Sequence, residues 1–158
     1  MVKRIYLDYA ALTPIDREVL ALVQASYIHA NPNSLHKDGV VAQKAIDQAK
    51  KDVADYIGAH PDEIYFTSSA TEANRIAMSV GKALISPIEH SSVMESAIDP
   101  EFLSVDVGGV VNIEKINDEI KIVSVQWVNN EIGTIQPVYE IAKKVKDAGK
   151  LFHVDASQ

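Results

Sequence analysis

The chain has 158 residues, 47% hydrophobic and 23% charged, with seven glycines and six prolines; this composition fits one globular domain with its own core and argues against disorder. A net charge of −7 disfavours nucleic acid and anionic lipid, which need a basic face, and leaves a small molecule or another protein as partner. The lack of cysteine excludes a disulfide framework, a thiolate metal site and a cysteine nucleophile within these residues.

No apolar run approaches the roughly 18 residues of a membrane span. Met1-Val2-Lys3-Arg4-Ile5 lacks the apolar core of a signal peptide. The expectation is a cytoplasmic protein with no membrane partner.

In chain order, Tyr6-Leu7-Asp8 leads through a turn at Thr13-Pro14 to Asp16, which suits the N-cap of a helix carrying Val19, Leu20, Leu22 and Val23. Asn31-Pro32-Asn33-Ser34 breaks that pattern. Residues 39–57 then place Ile46, Ala49, Val53 and Ile57 at helical spacing, with Gly58 as terminator. Ile64-Tyr65-Phe66-Thr67 reads as a strand of β-branched and aromatic residues, followed by Ser68-Ser69 and a helix reaching Gly81. Ala83-Leu84-Ile85 reads as a short strand, residues 91–97 as a short helix, and 102–105 as strand-like. Residues 120–125 are strand-like, 138–148 helical with Ile141, Ala142 and Val145 inward, and 151–154 strand-like again. The alternation predicts an α/β fold: a mostly parallel sheet flanked by helices.

Ligands of open parallel sheets bind beyond the carboxyl ends of the strands, which directs attention to four places. Ser68-Ser69-Ala70-Thr71-Glu72 would present free amides and a hydroxyl to a phosphate, or would merely cap its own helix. At Glu89-His90 an imidazole could stack on a planar ring, donate a hydrogen bond or move a proton; a lone histidine is also commonly structural. Asn129-Asn130-Glu131-Ile132-Gly133 offers side-chain amides to a ligand oxygen, or simply forms a turn. In His153-Val154-Asp155 a carboxylate ends an apolar strand, where a buried position would call for a cationic or protonated partner and an N-cap is the alternative. A right-handed crossover between the last two strands would bring Asn130 and Asp155 to one edge of the sheet. Together these groups suit pyridoxal phosphate, whose ring nitrogen pairs with an aspartate.

Six strings carry a resemblance: Tyr6-Leu7-Asp8-Tyr9-Ala10-Ala11, Asn31-Pro32-Asn33-Ser34-Leu35-His36, residues 67–74, Ile88-Glu89-His90, residues 129–137 and residues 153–158. In content and order they resemble the cysteine desulfurases, over nearly the whole chain. The resemblance implies the amino-terminal part of the large domain of a fold-type I pyridoxal-phosphate enzyme, spanning 1–158. It implies that Thr71 and the amides around Ala70 hold the cofactor phosphate. His90 would stack on the ring and assist proton transfer. Asp155 would pair with the ring nitrogen, Gln158 would reach the ring hydroxyl oxygen, and Asn130 would reach that hydroxyl or the substrate carboxylate. No metal site is implied.

In that family L-cysteine loses its sulfur to a cysteine thiolate as a persulfide, leaving alanine. The Schiff-base lysine and the persulfide cysteine belong to later segments absent here, and Lys150 precedes the last strand, away from the expected pocket. The expected partners are therefore a second copy or a complementing chain carrying lysine and cysteine, and a sulfur acceptor protein. Another class-V enzyme, such as a selenocysteine lyase or aminotransferase, and a non-catalytic partner-binding domain are the alternatives. Two departures stand out: Ser69 replaces a usual glycine near the phosphate, and Leu12 a usual threonine. The stretches from Thr71 to His90 and from His90 to Asn130 also look shorter than in typical relatives.

Overall fold

A computed structural model describes residues 5–27, 30–114 and 116–158. It divides into two compact units, Met1–Phe66 and Thr67–Gln158.

In the first unit, helix α1 (Arg17–Ala25) begins at Asp16, whose carboxylate accepts from Glu18 N at 2.7 Å and Val19 N at 3.4 Å, the cap its sequence predicts. Helix α2 (Lys37–Ile57) is capped by His36 and stopped by Gly58 in the left-handed conformation (φ 72°). Its buried residues are Gly39, Ala42 and Ala54. The expected inward set differs: Ile46 is half-buried, while Ala49, Val53 and Ile57 are exposed. The reason is packing by small residues. Gly39 approaches the Ser34 carbonyl so closely that a Cβ would meet it, and α2 contacts the 3-10 turn Pro61–Glu63.

Residues 64–67 form no strand, contrary to their composition. Tyr65 and Phe66 are exposed, and Lys50 lies 5.5 Å from the Tyr65 ring centroid. Strand propensity is expressed only where a neighbouring ladder takes up the backbone groups.

The second unit runs α3 (Ala70–Met78), β1 (Lys82–Ile85), α4 (Ser91–Met94), β2 (Ile98–Phe102), β3 (Ser104–Val105), β4 (Val111–Asn112), β5 (Ile122–Gln126), α5 (Val138–Asp147) and β6 (Leu151–Asp155). Helix α3 stops at Met78, short of the Gly81 expected, and the predicted 102–105 strand is divided between β2 and β3. Strands β2-β1-β5-β6 form a parallel sheet in that order, as the alternation of elements predicts. β3 and β4 form a separate antiparallel hairpin.

Period-two alternation sorts the strand residues onto two faces. Leu84, Val123 and Val125 pack with Ile141 and Val145 of α5 and with Leu103, Val111, Ile113 and Ile120. On the other face Ala83, Ile85 and Ile122 pack with Met78 of α3 and Val93 of α4. Each such buried aliphatic side chain contributes about 1.5–3 kcal/mol.

The α3/α4 face changes character along the strands. Ile122 belongs to the apolar cluster, but the next residues of β5 on that face are Ser124 and Gln126, and their registered partners on β6 are His153 and Asp155. A polar, buried patch therefore forms at the carboxyl end of the sheet, where strand ends meet the start of the connections.

Candidate functional site

The centre of this patch is Asp155, last residue of β6 and only 6% exposed. Ser157 donates to its Oδ1 twice, from N at 3.0 Å and Oγ at 2.6 Å, and Asn74 Nδ2 donates to Oδ2 at 2.9 Å. Burial pushes the carboxyl up, but the hydrogen bonds from Ser157 and Asn74 outweigh it, and Asp155 stays below the usual aspartate range. The sequence argument called for a cationic or protonated partner. Neutral donors do that work here; the bond from Ser157 N is a local turn contact, and residues 156–158 form no helix for Asp155 to cap.

Asn74 projects from the buried side of α3, and its second hydrogen reaches Ser92 Oγ at 2.9 Å. Ser92 lies 2.8 Å from His90 Nδ1. His90 is the N-cap of α4, its Nδ1 accepting from Ser92 N at 3.1 Å. One line of hydrogen bonds thus joins the two predicted residues Asp155 and His90. Neither Asn74 nor Ser92 was singled out from sequence, although a polar residue on the buried side of an amphipathic helix is the signal that finds Asn74.

Glu89, beside His90, is buried. Its Oε1 accepts from Gln126 N at 2.7 Å, and Oε2 has no partner among the described residues. Burial raises Glu89 to about 7, with the Gln126 N–H and, more weakly, the nearby Ser124 hydroxyl opposing the shift and Asp155 adding to it. His153 pairs through Nδ1 with Ser124 Oγ at 2.8 Å, and burial holds its pKa below the histidine norm.

The polar turn divides its work between two amides. Asn129 builds the turn: Oδ1 accepts from Glu131 N and Ile132 N, each at 2.9 Å, and Nδ2 donates to the Ile88 carbonyl at 2.8 Å. Asn130 is exposed, with Oδ1 accepting from Gln126 Nε2 at 3.1 Å. Asn130, His90 and Glu89 all line one cleft of about 360 Å³. Gln158 is exposed, three residues beyond Asp155.

At the start of α3, Ser69 is the N-cap, its Oγ accepting from Glu72 N at 3.3 Å with an extended φ of −167°. That conformation is open to any residue, so serine in the usual glycine position introduces no backbone strain. Glu72 Oε2 accepts from both Ser68 Oγ and Ser68 N at 2.7 Å, which holds Glu72 below its usual range. Ala70 and Thr71 open the helix on its exposed side, and no intrahelical acceptor precedes their amides. Thr71 lines a groove with Ser68, Ser69, Glu72 and Arg75. The capping reading holds: Ser69 and Glu72 cap, while Ala70 and Thr71 are exposed at the start of the helix.

A family model, aminotransferase class V, matches residues 5–158. Similar curated relatives include a mitosomal cysteine desulfurase of Trachipleistophora hominis, 37% identical over 98% of this chain and 41% of the relative, and the cysteine desulfurase IscS of Pseudoalteromonas translucida, 36% identical over 98% of this chain and 44% of the relative. The first alignment runs over 180 positions, more than the 158 residues present. Similar solved structures include a NifS-like protein (TM-score 0.88, 34% identity, 99% of this chain and 50% of that one) and SspA in complex with cysteine (TM-score 0.87, 32% identity, 97% and 50%). The chain spans less than half the length of these curated relatives. With a parallel sheet, a buried carboxylate at its carboxyl edge and matches along its whole length, the chain belongs to the class-V aminotransferase family and is a homologue of the cysteine desulfurases.

Proposed function

We propose that this chain forms the cofactor-binding face of a pyridoxal-phosphate-dependent cysteine desulfurase, acting with polypeptide outside these 158 residues that carries the Schiff-base lysine and the persulfide cysteine. The observation that carries the reading is Asp155: a buried carboxylate held ionised by three neutral donors, with no cation of the chain paired to it among the described residues. Such a group suits a protonated ring nitrogen, which supplies the missing countercharge.

The remaining donor set fits the same ligand. Thr71 and the amides of Ala70 and Thr71 would hold its phosphate, with Ser68 drawn into that contact only by leaving Glu72. His90 would lie against the ring, and Asn130 and Gln158 would take its hydroxyl oxygen or the substrate carboxylate. When bound, pyridoxal phosphate supplies an electron sink for bond cleavage in an amino acid.

L-Cysteine is the substrate proposed, from the names of the relatives and from the cysteine bound in the SspA structure. A second copy or a complementing chain, a sulfur acceptor protein and a cytoplasmic location complete the proposal, with iron-sulfur cluster assembly or tRNA thiolation as destinations for the sulfur.

The test mixes the purified chain with a polypeptide comprising the lysine- and cysteine-bearing remainder of a relative and follows alanine release from L-cysteine. The mixture should gain desulfurase activity, and Asp155→Ala should lower it by about a hundredfold or more. A mixture that binds the cofactor yet releases no alanine contradicts the assignment.

A further inference from the structure

We propose that Asn74 and Ser92 are positioning residues that hold His90 as its Nε2-protonated tautomer and tie it to Asp155 through one unbroken line of hydrogen bonds. The proposal takes its purpose from the cofactor-site reading above, but its geometry stands without it.

The argument begins at the helix cap. The Ser92 N–H lies 3.1 Å from His90 Nδ1, and a backbone N–H can only donate. Nδ1 must therefore offer its lone pair, and the proton of the neutral ring sits on Nε2. Ser92 Oγ strengthens the choice. It accepts one hydrogen of the Asn74 amide at 2.9 Å, so its own hydrogen is available to His90 Nδ1, 2.8 Å away.

Asn74 has no freedom to reverse. Its other hydrogen goes to Asp155 Oδ2 at 2.9 Å, and a carboxylate accepts only. The amide nitrogen must face both acceptors. Asp155 thus dictates the orientation of Asn74, Asn74 fills one lone pair of Ser92 Oγ, and the Ser92 hydroxyl proton shares the Nδ1 lone pair that the Ser92 N–H already fixes as an acceptor. Asn74 and Ser92 are 3% and 5% exposed, so water has little access to substitute for any link.

The consequence concerns recognition. The His90 edge away from α4 carries an N–H, so a ligand atom meeting it must be a hydrogen-bond acceptor: an oxygen anion, a carbonyl or a thiolate. A ligand donor placed there would oppose the cap of α4.

The test needs no cofactor. In the intact chain with ¹⁵N-labelled histidine, long-range ¹H–¹⁵N correlation at pH 8 should show His90 with a protonated Nε2 and an unprotonated Nδ1. Ser92→Ala and Asn74→Ala should each raise the share of the Nδ1-protonated form by about fivefold, the worth of one neutral hydrogen bond. Ser92→Thr, which keeps the hydroxyl, should restore the wild-type pattern. A protonated Nδ1 in the wild-type chain overturns the proposal even if every variant fails to fold, as do unchanged His90 signals in folded Ser92→Ala and Asn74→Ala chains. Adding pyridoxal phosphate to the same samples separates the two readings, since a chain with the expected tautomer that ignores the cofactor contradicts only the functional assignment.

Discussion

Glu89 and Asp155 are both buried carboxyls at the carboxyl edge of one sheet, yet their environments drive them apart. Asp155 has three donors and stays ionised; Glu89 has one backbone donor, an unpartnered oxygen and a neighbouring negative charge, and rises to about 7. Because the folded pKa of Glu89 exceeds its unfolded value of 4.5, the folded chain binds this proton more tightly. Its contribution is complete below about pH 4.5 and is lost as pH rises through 7, in total roughly 3 kcal/mol. His153 acts in the opposite sense just below its ordinary pKa, since burial disfavours its charged form. Asp155 matters only at lower pH, where its stabilising contribution is lost as it protonates. Comparing wild type with Glu89→Gln isolates the first effect. In urea unfolding at pH 5, 6, 7 and 8, the Gln variant should gain on wild type by roughly 2.5 kcal/mol across the series, and a difference independent of pH would show that Glu89 is not protonated in the fold.

At the scale of elements, the turn that carries Asn130 is tied to the β3–β4 hairpin by side chains rather than by a ladder. Gln136, nearly fully buried, accepts from Val111 N at 2.9 Å and donates to the Gly109 carbonyl at 2.6 Å, while Thr134 Oγ1 donates to the Gly108 carbonyl at 2.6 Å. Gly109 has φ 77°, a left-handed conformation that favours glycine, and a Cβ there would also displace the end of the Ile132 side chain. Gln136→Ala leaves a buried N–H and a buried carbonyl unsatisfied and should cost about 2–4 kcal/mol. The Val111 amide should then exchange with deuterium at an increased rate, whereas unchanged protection would mean that the hairpin holds itself. None of this was legible in sequence. Residues 129–133 read as a polar turn and 102–105 as strand-like, but the two residues of β4 have too little pattern to announce the hairpin. The elements that were legible had both a periodic apolar face and an end signal: α1 with Asp16, α5 with Ile141 and Val145 inward, and β6 ending at Asp155. Residues 64–67 had composition but no pairing partner, and so formed no strand.

The whole molecule shows why the site was half legible. His90 and Asp155 could be placed at strand ends from the order of elements, because parallel sheets put their connections at one edge. What joins them, Asn74 and Ser92, depends on how α3 and α4 lie on the sheet, which no local pattern states. Within the first unit α1 buries none of its residues, and Leu22 and Val23 are exposed, as are Val53 and Ile57 of α2. A nine-residue helix of this kind takes its stability from packing, and apolar residues left uncovered on two helices favour association with further polypeptide. That expectation joins the cofactor reading in one measurement: native mass spectrometry of the chain purified from its own source with pyridoxal phosphate added. The account predicts a complex of more than one polypeptide that retains the cofactor and includes a lysine-bearing partner; a solitary chain whose mass does not change when the cofactor is added would contradict it.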